Sequence, residues 1–439
     1  MSGSVVNSNM NPRELLLNSF QAAVDAADPL LILPPHLRSD LPILPKGRTL
    51  VVGAGKAAAA MALAVEQHWP ENSVLNGIAL TRYGHGLPLD RIKLIEAGHP
   101  LPDERGEQGA RAILSEVKKL GADDLLLCLL SGGGSSLLSL PVPGVSLNEL
   151  REITDELLRC GATIQEINTV RKHLSAILGG RLAASSRAPV LALIISDVTG
   201  DDPTHITSGP CAPDSTTFSD ALAILENYDI EAPASVKDTL LAGAQGQIKE
   251  TPKPGDAAFD HVENRVIATA HKSLVAAAEY FHVQGIPAAV LSDSITGESR
   301  EVAKVFAALG KEIRRYGRPW KTPVALISGG ETTVTLRGDE CGGRGGRNTE
   351  FLLSLAIELE DAENVYALAC DTDGIDGTEN NAGAIVMPDS LYRARKKDIN
   401  PRVSLARHNA YTFFEQLDDL VLTGPTRTNV NDYRAILIL

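Results

Sequence analysis

Short apolar runs that end in glycine-rich or acidic turns recur along this chain, and they constrain its fold more than any other feature. Residues 51–62 read VVGAGKAAAAMA, and residues 125–138 read LLLCLLSGGGSSLL. Each stretch joins a strand-like run to a helix-like run through glycines. Repeated strand-helix alternation predicts α/β domains in which helices cover mostly parallel sheets.

The length of 439 residues favours two domains over one. Residues 230–262 are polar and rich in proline and glycine, which is typical of a linker. We therefore predict an N-terminal α/β domain at 12–250 and a C-terminal α/β domain at 260–439. In such sheets ligands bind beyond the carboxyl ends of the strands, so the turns that follow the strands are the candidate site.

The composition narrows the choice of partners and of compartment. A net charge of −14 repels nucleic acid and anionic lipid, so neither is predicted as a partner. Five cysteines without a CxxC spacing argue against a disulfide framework and for a reducing compartment. We see no signal peptide and no apolar run of the roughly 18 residues that a membrane span needs. The chain is predicted to be soluble and cytoplasmic.

The first glycine turn, GAGK, fits the dinucleotide pattern G-x-G-x-x-A only loosely. The next predicted strand ends at Thr81-Arg82 and lacks the acid that would bind a ribose, so NAD fits poorly. A tight turn needed only for packing is the competing interpretation. Lys56 favours an anion site, because its ammonium group can reach a phosphate or a carboxylate as a point charge.

The second glycine turn is more specific. Consecutive glycines let the backbone approach a ligand closely, and serine hydroxyls add hydrogen-bond donors ahead of a helix. The candidate phosphate- or substrate-binding residues are Ser131, Gly132, Gly133, Gly134, Ser135 and Ser136. A serine nucleophile is the competing functional interpretation, but the G-x-S-x-G pattern is not matched. A purely structural turn is the weaker alternative.

A third group of turns lies in residues 326–351, where SGGE is followed by GGRGGRN. An arginine guanidinium binds phosphate or carboxylate in bidentate fashion, and the flanking glycines permit close approach. The alternative is a solvated basic loop. The candidate binding residues here are Gly329, Gly330, Glu331, Gly345, Gly346 and Asn348, beside the catalytic candidate Arg347.

Aspartates follow two further strand-like runs, in SDVTGDDP and in CDTDGIDG. A carboxylate can hold magnesium together with phosphate oxygens, or it can accept a proton from a substrate hydroxyl. For any single aspartate, a role as turn former or helix cap is the better interpretation. For the set, we predict one functional acid. The histidines are scattered, and His99 is best explained as a loop histidine.

Taken together, these motifs resemble the type 2 glycerate kinase family, whose C-terminal part is called the MOFRL domain. The resemblance spans roughly residues 12–435, through VVGAGKAA, EAGHPLPDERG, LLSGGGSSLL, IQEINTVRKHLS, SDVTGDDP, SGPCAPDSTT, SGGETTVTLRG, GGRGGRN, DTDGIDG and TGPTRTNVND in the family's order. Some members of this family have been labelled hydroxypyruvate reductases.

The resemblance implies ATP- and Mg²⁺-dependent phosphorylation of D-glycerate, generally at the 2-hydroxyl, in a cleft between two Rossmann-like α/β domains. It places the family's lysine and arginine on Lys56 and Arg347. The resemblance also implies that the catalytic and magnesium-binding aspartates fall on Asp197 and Asp373. Two positions depart from the pattern that we expect, which are Leu178 in place of lysine and Thr349 in place of glutamine.

We therefore expect a glycerate 2-kinase in which glycine turns, Lys56 and Arg347 neutralise a phosphoryl group in transfer. An NAD(P)-dependent hydroxypyruvate reductase is the alternative enzyme, although it would leave most of the anion loops unused. A non-catalytic sensor of sugar acids is the alternative from another class. The loop that takes ATP, the choice between monomer and homodimer, and the division of roles between the two aspartates stay open at this point.

Overall fold

A computed structural model describes residues 11–38, 45–336 and 343–439, so Gly342 of the predicted GGRGGRN turn lies outside the described residues. The chain divides into two compact units. The first unit is Pro29–Ile267, and the second combines the described residues before Pro29 with Ala268–Leu439. Each unit contains one six-stranded sheet with helices packed around it.

The elements alternate along the chain much as the apolar runs predict. The helices are α1 Pro12–Asp25, α2 Pro29–Arg38, α3 Ala58–His68, α4 Glu104–Val117, α5 Gly134–Leu137, α6 Leu147–Arg159, α7 Ile164–His173, α8 Arg181–Ala184, α9 Phe218–Asn227, α10 Ala234–Ala244, α11 Ala270–Val283, α12 Ser299–Tyr316, α13 Arg347–Leu359, α14 Ser390–Lys396, α15 Pro401–Ala406 and α16 Ala410–Leu417. The strands are β1 Thr49–Ala54, β2 Leu75–Arg82, β3 Ile92–Ala97, β4 Leu125–Leu130, β5 Val190–Ile195, β6 Val262–Ala268, β7 Ala288–Ser292, β8 Gly297–Glu298, β9 Val324–Ser328, β10 Thr332–Thr333, β11 Val365–Asp371, β12 Gly383–Val386, β13 Leu420–Val421 and β14 Asp432–Ile438.

The sheet of the first unit has the strand order β3-β2-β1-β4-β5-β6, and the pairs from β3 through β5 are parallel. Strands β1, β4 and β5 are buried along their whole length, as expected when helices cover both faces. The order reverses between β1 and β4, where consecutive connections leave in opposite directions. The predicted α/β fold with a mostly parallel sheet is confirmed for this unit.

The sheet of the second unit has the order β13-β12-β11-β14-β9-β7. Only the β7–β9 pair is parallel in this sheet, and the other pairs are antiparallel. The prediction of a mostly parallel sheet is therefore wrong for this unit. Strand β14 is buried along its whole length, although it carries Asp432 and Arg434, whose side chains pair with each other.

Two boundaries also differ from the predicted domains. Helix α1 buries Leu16 and Phe20 in the core of the second unit, against Leu274 and Phe281 of α11, although its position in sequence placed it in the first domain. The predicted linker at 230–262 is wrong where α10 forms, because this helix packs an apolar face against α9. The chain passes between the units at Ile267 and Ala268 instead.

In the part of the chain that the structure describes, no helix is both long enough and apolar enough to cross a membrane.

Candidate active site

The carboxyl ends of β1 and β4 meet at the point where the strand order of the first sheet reverses. Ala54, the last residue of β1, lies opposite Leu130, the last residue of β4. In open α/β sheets this reversal leaves a crevice in which ligands bind. Lys56 follows β1 by two residues, and the loop 131–136 follows β4 directly, so the structure brings these sequence candidates together.

The two turns are joined by hydrogen bonds. The amide of Lys56 donates to the carbonyl of Gly132 at 2.9 Å, and the amide of Ala57 donates to Ser131 Oγ at 3.0 Å. A Cβ atom added to Gly55, whose φ is +132°, would lie 2.1 Å from Ser131 Oγ. Only a glycine at position 55 therefore lets the Lys56 turn pack against the loop 131–136. This packing fixes the backbone that carries Lys56.

The serine hydroxyls of the loop 131–136 bond within the protein. Ser208 Oγ donates to Asn168 Oδ1 at 2.9 Å, so the hydroxyl proton of Ser135 points to Ser208 Oγ at 2.8 Å. Ser136 Oγ donates to the carbonyl of Gly133 at 3.1 Å and lies 2.8 Å from His99 Nδ1. The hydroxyl protons of Ser135 and Ser136 are therefore used within the protein, where they shape the loop.

A second segment, containing Thr207 and Ser208, packs on this loop and was missed by the sequence analysis as a site element. Both residues are buried and have positive φ, at 53° and 54°. Thr207 Oγ1 donates to the carbonyl of Ser131 at 2.9 Å. A β-branched residue with positive φ is strained, and such strain clusters at functional sites. The only sequence signal was the SGPC stretch, whose backbone conformation no periodicity reveals.

Asp197 lies two residues beyond the end of β5, the strand next to β4 in the sheet. Its side chain is half-buried. It therefore belongs to the same edge of the first sheet as Lys56 and the loop 131–136, as predicted. Leu178, the first departure from the expected pattern, is buried in the core of this unit.

The remaining candidates belong to the second unit, and Arg347 is the centre of their charges. Its guanidinium donates to Asp432 Oδ1 at 2.8 Å, to Asp371 Oδ2 at 2.7 Å and to Glu331 Oε1 at 2.8 Å. Burial acts to lower the pKa of Arg347, but the three carboxylates raise it above its ordinary value. Glu331 has the exposed side chain among these partners, so it is the one that a ligand displaces most easily.

Asp376 occupies the position that the glycine turn was predicted to offer to a ligand. Its Oδ1 accepts the amide of Asn348 and its Oδ2 accepts the amide of Thr349, both at 2.9 Å. Thr349 Oγ1 also donates to Asp376 and accepts the amide of Gly346. Burial raises the pKa of Asp376, although the two amides act to lower it. An internal carboxylate thus fills the anion position at the start of α13, which gives the departure at Thr349 a structural role.

The other turn residues of this unit are also used internally. The amide of Gly329 donates to the carbonyl of Ser292 at 2.8 Å. A Cβ atom on Gly330, whose φ is +95°, would lie 2.3 Å from the amide nitrogen of Ile295. Asp373 is buried, and its Oδ1 accepts the amide of Ile375 at 2.9 Å. These residues hold the ends of β9 and β11 in place.

A cavity of about 590 Å³ opens in the second unit beside Arg347. This is the size range of small-molecule sites. Its lining residues are Glu331, Thr332, Thr333, Val334, Leu336, Gly343, Gly345, Gly346, Arg347, Glu350, Gly377, Thr378 and His408. The predicted residues Glu331, Gly345, Gly346 and Arg347 therefore share one concave surface.

Magnesium binding was predicted at Asp197 and Asp373. Among the described residues, no group of three or more histidine, cysteine, aspartate or glutamate side chains is arranged to hold a metal ion. Magnesium in phosphoryl-transfer sites commonly takes only one or two carboxylates and completes its shell with phosphate oxygens and water. The half-buried Asp197 fits that mode, whereas the buried Asp373 fits it less well.

Comparisons with known proteins cover almost the whole chain. Residues 15–241 match the family described as a domain of unknown function, DUF4147, and residues 324–432 match the MOFRL family. The chain is 41% identical over 432 residues to a glycerate 2-kinase from Pyrococcus horikoshii, with 96% of each chain covered. The resemblance predicted from the motifs is therefore confirmed.

Two further comparisons bear on the fold and on the alternative enzyme. The crystal structure of a glycerate kinase from Thermotoga maritima superposes with a TM-score of 0.86 at 39% identity, covering 97% of this chain and 99% of that one. A protein of Agrobacterium vitis is 49% identical over 431 residues, covering 98% of this chain and 95% of its own. Its name gives hydroxypyruvate reductase as an unproven activity.

Proposed function

Because this chain belongs to the glycerate kinase family that carries the MOFRL region, we propose that it transfers the γ-phosphoryl group of ATP to the 2-hydroxyl group of D-glycerate. The observation that carries this proposal is the near full-length match to a glycerate 2-kinase. The products are 2-phosphoglycerate and ADP. The glycerate oxygen forms a bond to the γ-phosphorus while the bond from that phosphorus to the β–γ bridging oxygen breaks, and ADP leaves with the electrons of that bond.

Lys56 is our candidate for neutralising the phosphoryl group during transfer. Phosphoryl transfer requires mainly alignment and charge stabilisation from a protein. The hydrogen bonds between the Lys56 turn and the loop that begins at Ser131 support this role, because they fix the lysine backbone at the reversal point of the sheet. A positioned cation acts there without any reorganisation of solvent.

Arg347 is our candidate for a second anion contact. Its bonds to the buried Asp371 and Asp432 orient the guanidinium, while its bond to the exposed Glu331 can be exchanged for a ligand oxygen. Arg347 and Glu331 both border the 590 Å³ cavity, which supports an anionic group binding there. In this proposal Glu331 holds the arginine until the ligand arrives.

Asp197 is our candidate for the acid at the reacting groups. Its half-buried carboxylate beyond β5 supports either acceptance of the substrate hydroxyl proton or a contact to magnesium. Magnesium, when bound, neutralises charge on the phosphate oxygens. Asp373, whose carboxylate accepts a backbone amide, is proposed to shape its turn.

The strand order of the first sheet and the match to the Agrobacterium protein favour hydroxypyruvate reduction as the second candidate function. An acid at the end of β2 would normally bind the ribose of NAD, and here β2 ends at Arg82. Glu96 of the neighbouring strand β3 instead accepts the amides of Gly84 and Gly86, at 2.9 and 3.1 Å. These contacts support the kinase over the reductase.

Phosphorus NMR of a reaction containing D-glycerate, ATP and Mg²⁺ tests the proposal. We expect a 2-phosphoglycerate signal that grows together with ADP. A 3-phosphoglycerate signal would contradict the assignment of the hydroxyl group. Oxidation of NADPH or NADH with hydroxypyruvate, without ADP formation from D-glycerate, would replace the kinase with the reductase.

A further inference from the structure

Arg171 is a half-buried cation that has no ionic or hydrogen-bonded partner among the described residues. It lies in the last turn of α7, and its side chain is half-buried. The next two residues along the chain both have carboxylate partners. Lys172 Nζ lies 3.4 Å from Asp214 Oδ1, and His173 Nε2 lies 3.3 Å from Glu250 Oε2. No carboxylate in the described ranges forms an ion pair or hydrogen bond with Arg171.

Burial of the Arg171 side chain disfavours its charged form. Burial lowers the pKa of Arg171 to about 10, with no charged neighbour among the described residues contributing. The guanidinium still carries its charge at neutral pH. A desolvated charge without a partner destabilises a fold strongly. Favourable contact with the end of a helix explains a cation in this turn, but an exposed side chain would obtain that contact without desolvation.

The surroundings of Arg171 indicate what partner it takes. It borders a cavity whose polar wall includes the hydroxyl residues Ser135, Ser136, Ser139 and Ser175. Ser135 and Ser136 belong to the loop 131–136, whose first residues contact the Lys56 turn. The first residues of this loop therefore contact the Lys56 turn, and its last residues line the same cavity as Arg171.

The size of the cavity limits which part of a ligand can enter it. Its volume is about 10 Å³, which is room for one water-sized atom. One oxygen of an anionic group fits such a space. Because Lys56, at the other end of the loop, is our candidate for meeting the phosphoryl group, the substrate carboxylate is the anion that is left for Arg171. A carboxylate also matches the forked donors of a guanidinium. The apolar remainder of the wall, which includes Leu150 and Leu178, offers no competing charge.

We propose that Arg171 binds the carboxylate group of D-glycerate, with one carboxylate oxygen entering the serine-lined cavity, an assignment that rests on the proposed kinase function. The loop 131–136 then holds the substrate by its acid end, while Lys56 acts on the phosphoryl group. Arg171 thereby selects acids over neutral polyols of the same size.

Steady-state kinetics of Arg171→Met and Arg171→Lys, with Arg159→Met as control, tests this proposal. Arg159 is an exposed arginine near the end of the neighbouring helix α6, paired only with the exposed Asp155. For R171M we expect the KM for D-glycerate to rise about 100-fold, because a charge-assisted bidentate contact is lost. The KM for ATP should stay within about threefold, R171K should recover part of the loss, and R159M should match the wild type. Discrimination between D-glycerate and glycerol should collapse in R171M alone.

Thermal unfolding with and without about 10 mM D-glycerate, roughly ten times the upper end of common KM values, separates this inference from the proposed function. D-glycerate should raise the Tm of the wild type and of R159M but not of R171M, whose Tm without ligand should be equal to or higher than that of the wild type. If D-glycerate protects only proteins with Arg171 but no phosphoglycerate forms, the carboxylate site stands and the kinase proposal fails. If R171M phosphorylates D-glycerate with an unchanged KM, or if its KM rises for ATP instead, the inference is wrong while the kinase stands. A lower Tm of R171M without ligand would also overturn it, since that result indicates a structural role.

Discussion

Lys56 is a cation carried by a turn whose backbone is fixed through hydrogen bonds to the loop 131–136. We expect Lys56→Met to lower kcat with D-glycerate about 100- to 1,000-fold, the size of effect found when one positioned donor is removed from a charge-stabilising site. Substitution of the exposed Lys93 on β3 by Met is the matched control and should leave kcat unchanged. Coupled detection of ADP measures turnover, and turnover of K56M within about threefold of the wild type would remove Lys56 from the catalytic residues.

Arg347, our candidate for an anion contact, also supports the fold, because two of its three carboxylate partners are buried. We expect Arg347→Ala to lower kcat at least about 100-fold and also to destabilise the second unit by about 3 kcal/mol, since Asp371 and Asp432 lose a cation inside the protein. Urea unfolding and ADP release measure the two effects separately.

The matched control for Arg347 is Arg393→Ala. Arg393 also pairs with a buried carboxylate, Asp419, in the same unit, at 2.6 Å. This variant should lose stability without losing turnover. If R347A behaves in the same way, Arg347 is structural and the proposed anion contact is wrong.

The residues around Arg347 and Lys56 show what a sequence can tell about a site. GAGK and SGGGSS indicate the reversal point of the first sheet because a glycine turn after an apolar run is a local pattern. The partners of Arg347 are not local, since Asp432 is 85 residues away in the chain. Several glycines that were predicted to face a ligand instead allow a neighbouring segment to pack closely, as Gly330 does against Ile295. A local sequence pattern therefore predicts where a tight turn forms, but it does not predict which segment packs against that turn.

At the scale of an element, the start of α13 depends on Asp376. The first amides of a helix lack partners within the helix, and here two of them donate to this buried carboxylate. We expect Asp376→Ala to destabilise the second unit by about 3 kcal/mol, because the amides of Asn348 and Thr349 stay buried without an acceptor. In a Trp69→Phe background, the fluorescence of Trp320, the other of the two tryptophans, reports the unfolding of this unit in urea.

The control for Asp376 is Asp389→Ala before α14. Asp389 is exposed and caps no amide of its helix, so its loss should cost no more than about 0.5 kcal/mol. If D376A unfolds at the same urea concentration as D389A, the carboxylate of Asp376 is not what holds the start of α13.

Elements were easier to predict than their directions. Strand β14 and strand β4 are both buried throughout, yet β14 is antiparallel to its neighbours β11 and β9, whereas β4 is parallel to β1 and β5. Burial on two faces removes the alternation that would mark an antiparallel strand. Helix α10 was interpreted as part of a linker because it buries only a few residues and because its flanks are rich in glycine and proline.

At the scale of the whole molecule, the two units are not two continuous halves of the chain. Helix α1 precedes the first unit in sequence but completes the core of the second, in which Tyr433 of β14 donates to Ser19 at 2.8 Å. A helical apolar pattern predicts that α1 forms, but it does not predict which apolar surface covers it. Contacts with α11 and β14, which lie far from α1 in sequence, decide that question, and no local pattern records them.

Acid should weaken the first unit, in which the side chain of His173 is fully buried. Burial lowers the pKa of His173, although nearby Asp214 and Glu250 act to raise it. The unfolded chain therefore binds this proton first as the pH falls. The stability that comes from neutral His173 is present in full above its unfolded pKa of about 6.5, and it is lost below that pH at up to about 1.4 kcal/mol per pH unit.

The fluorescence of Trp69 in a Trp320→Phe background measures this loss, because Trp69 is buried in the first unit. The urea midpoint should fall between pH 7 and pH 5, and His173→Gln should flatten that dependence. Asp214 does not account for this pH dependence. Burial acts to raise the pKa of Asp214, but Lys172 and Thr216 lower it overall. The stability that its carboxylate contributes is therefore lost only below about pH 4. His261→Gln, an exposed change in the same unit, should leave the slope as it is in the wild type. An H173Q protein that keeps the wild-type slope would show that another group of the first unit takes up the proton, and that the buried histidine does not couple this fold to pH.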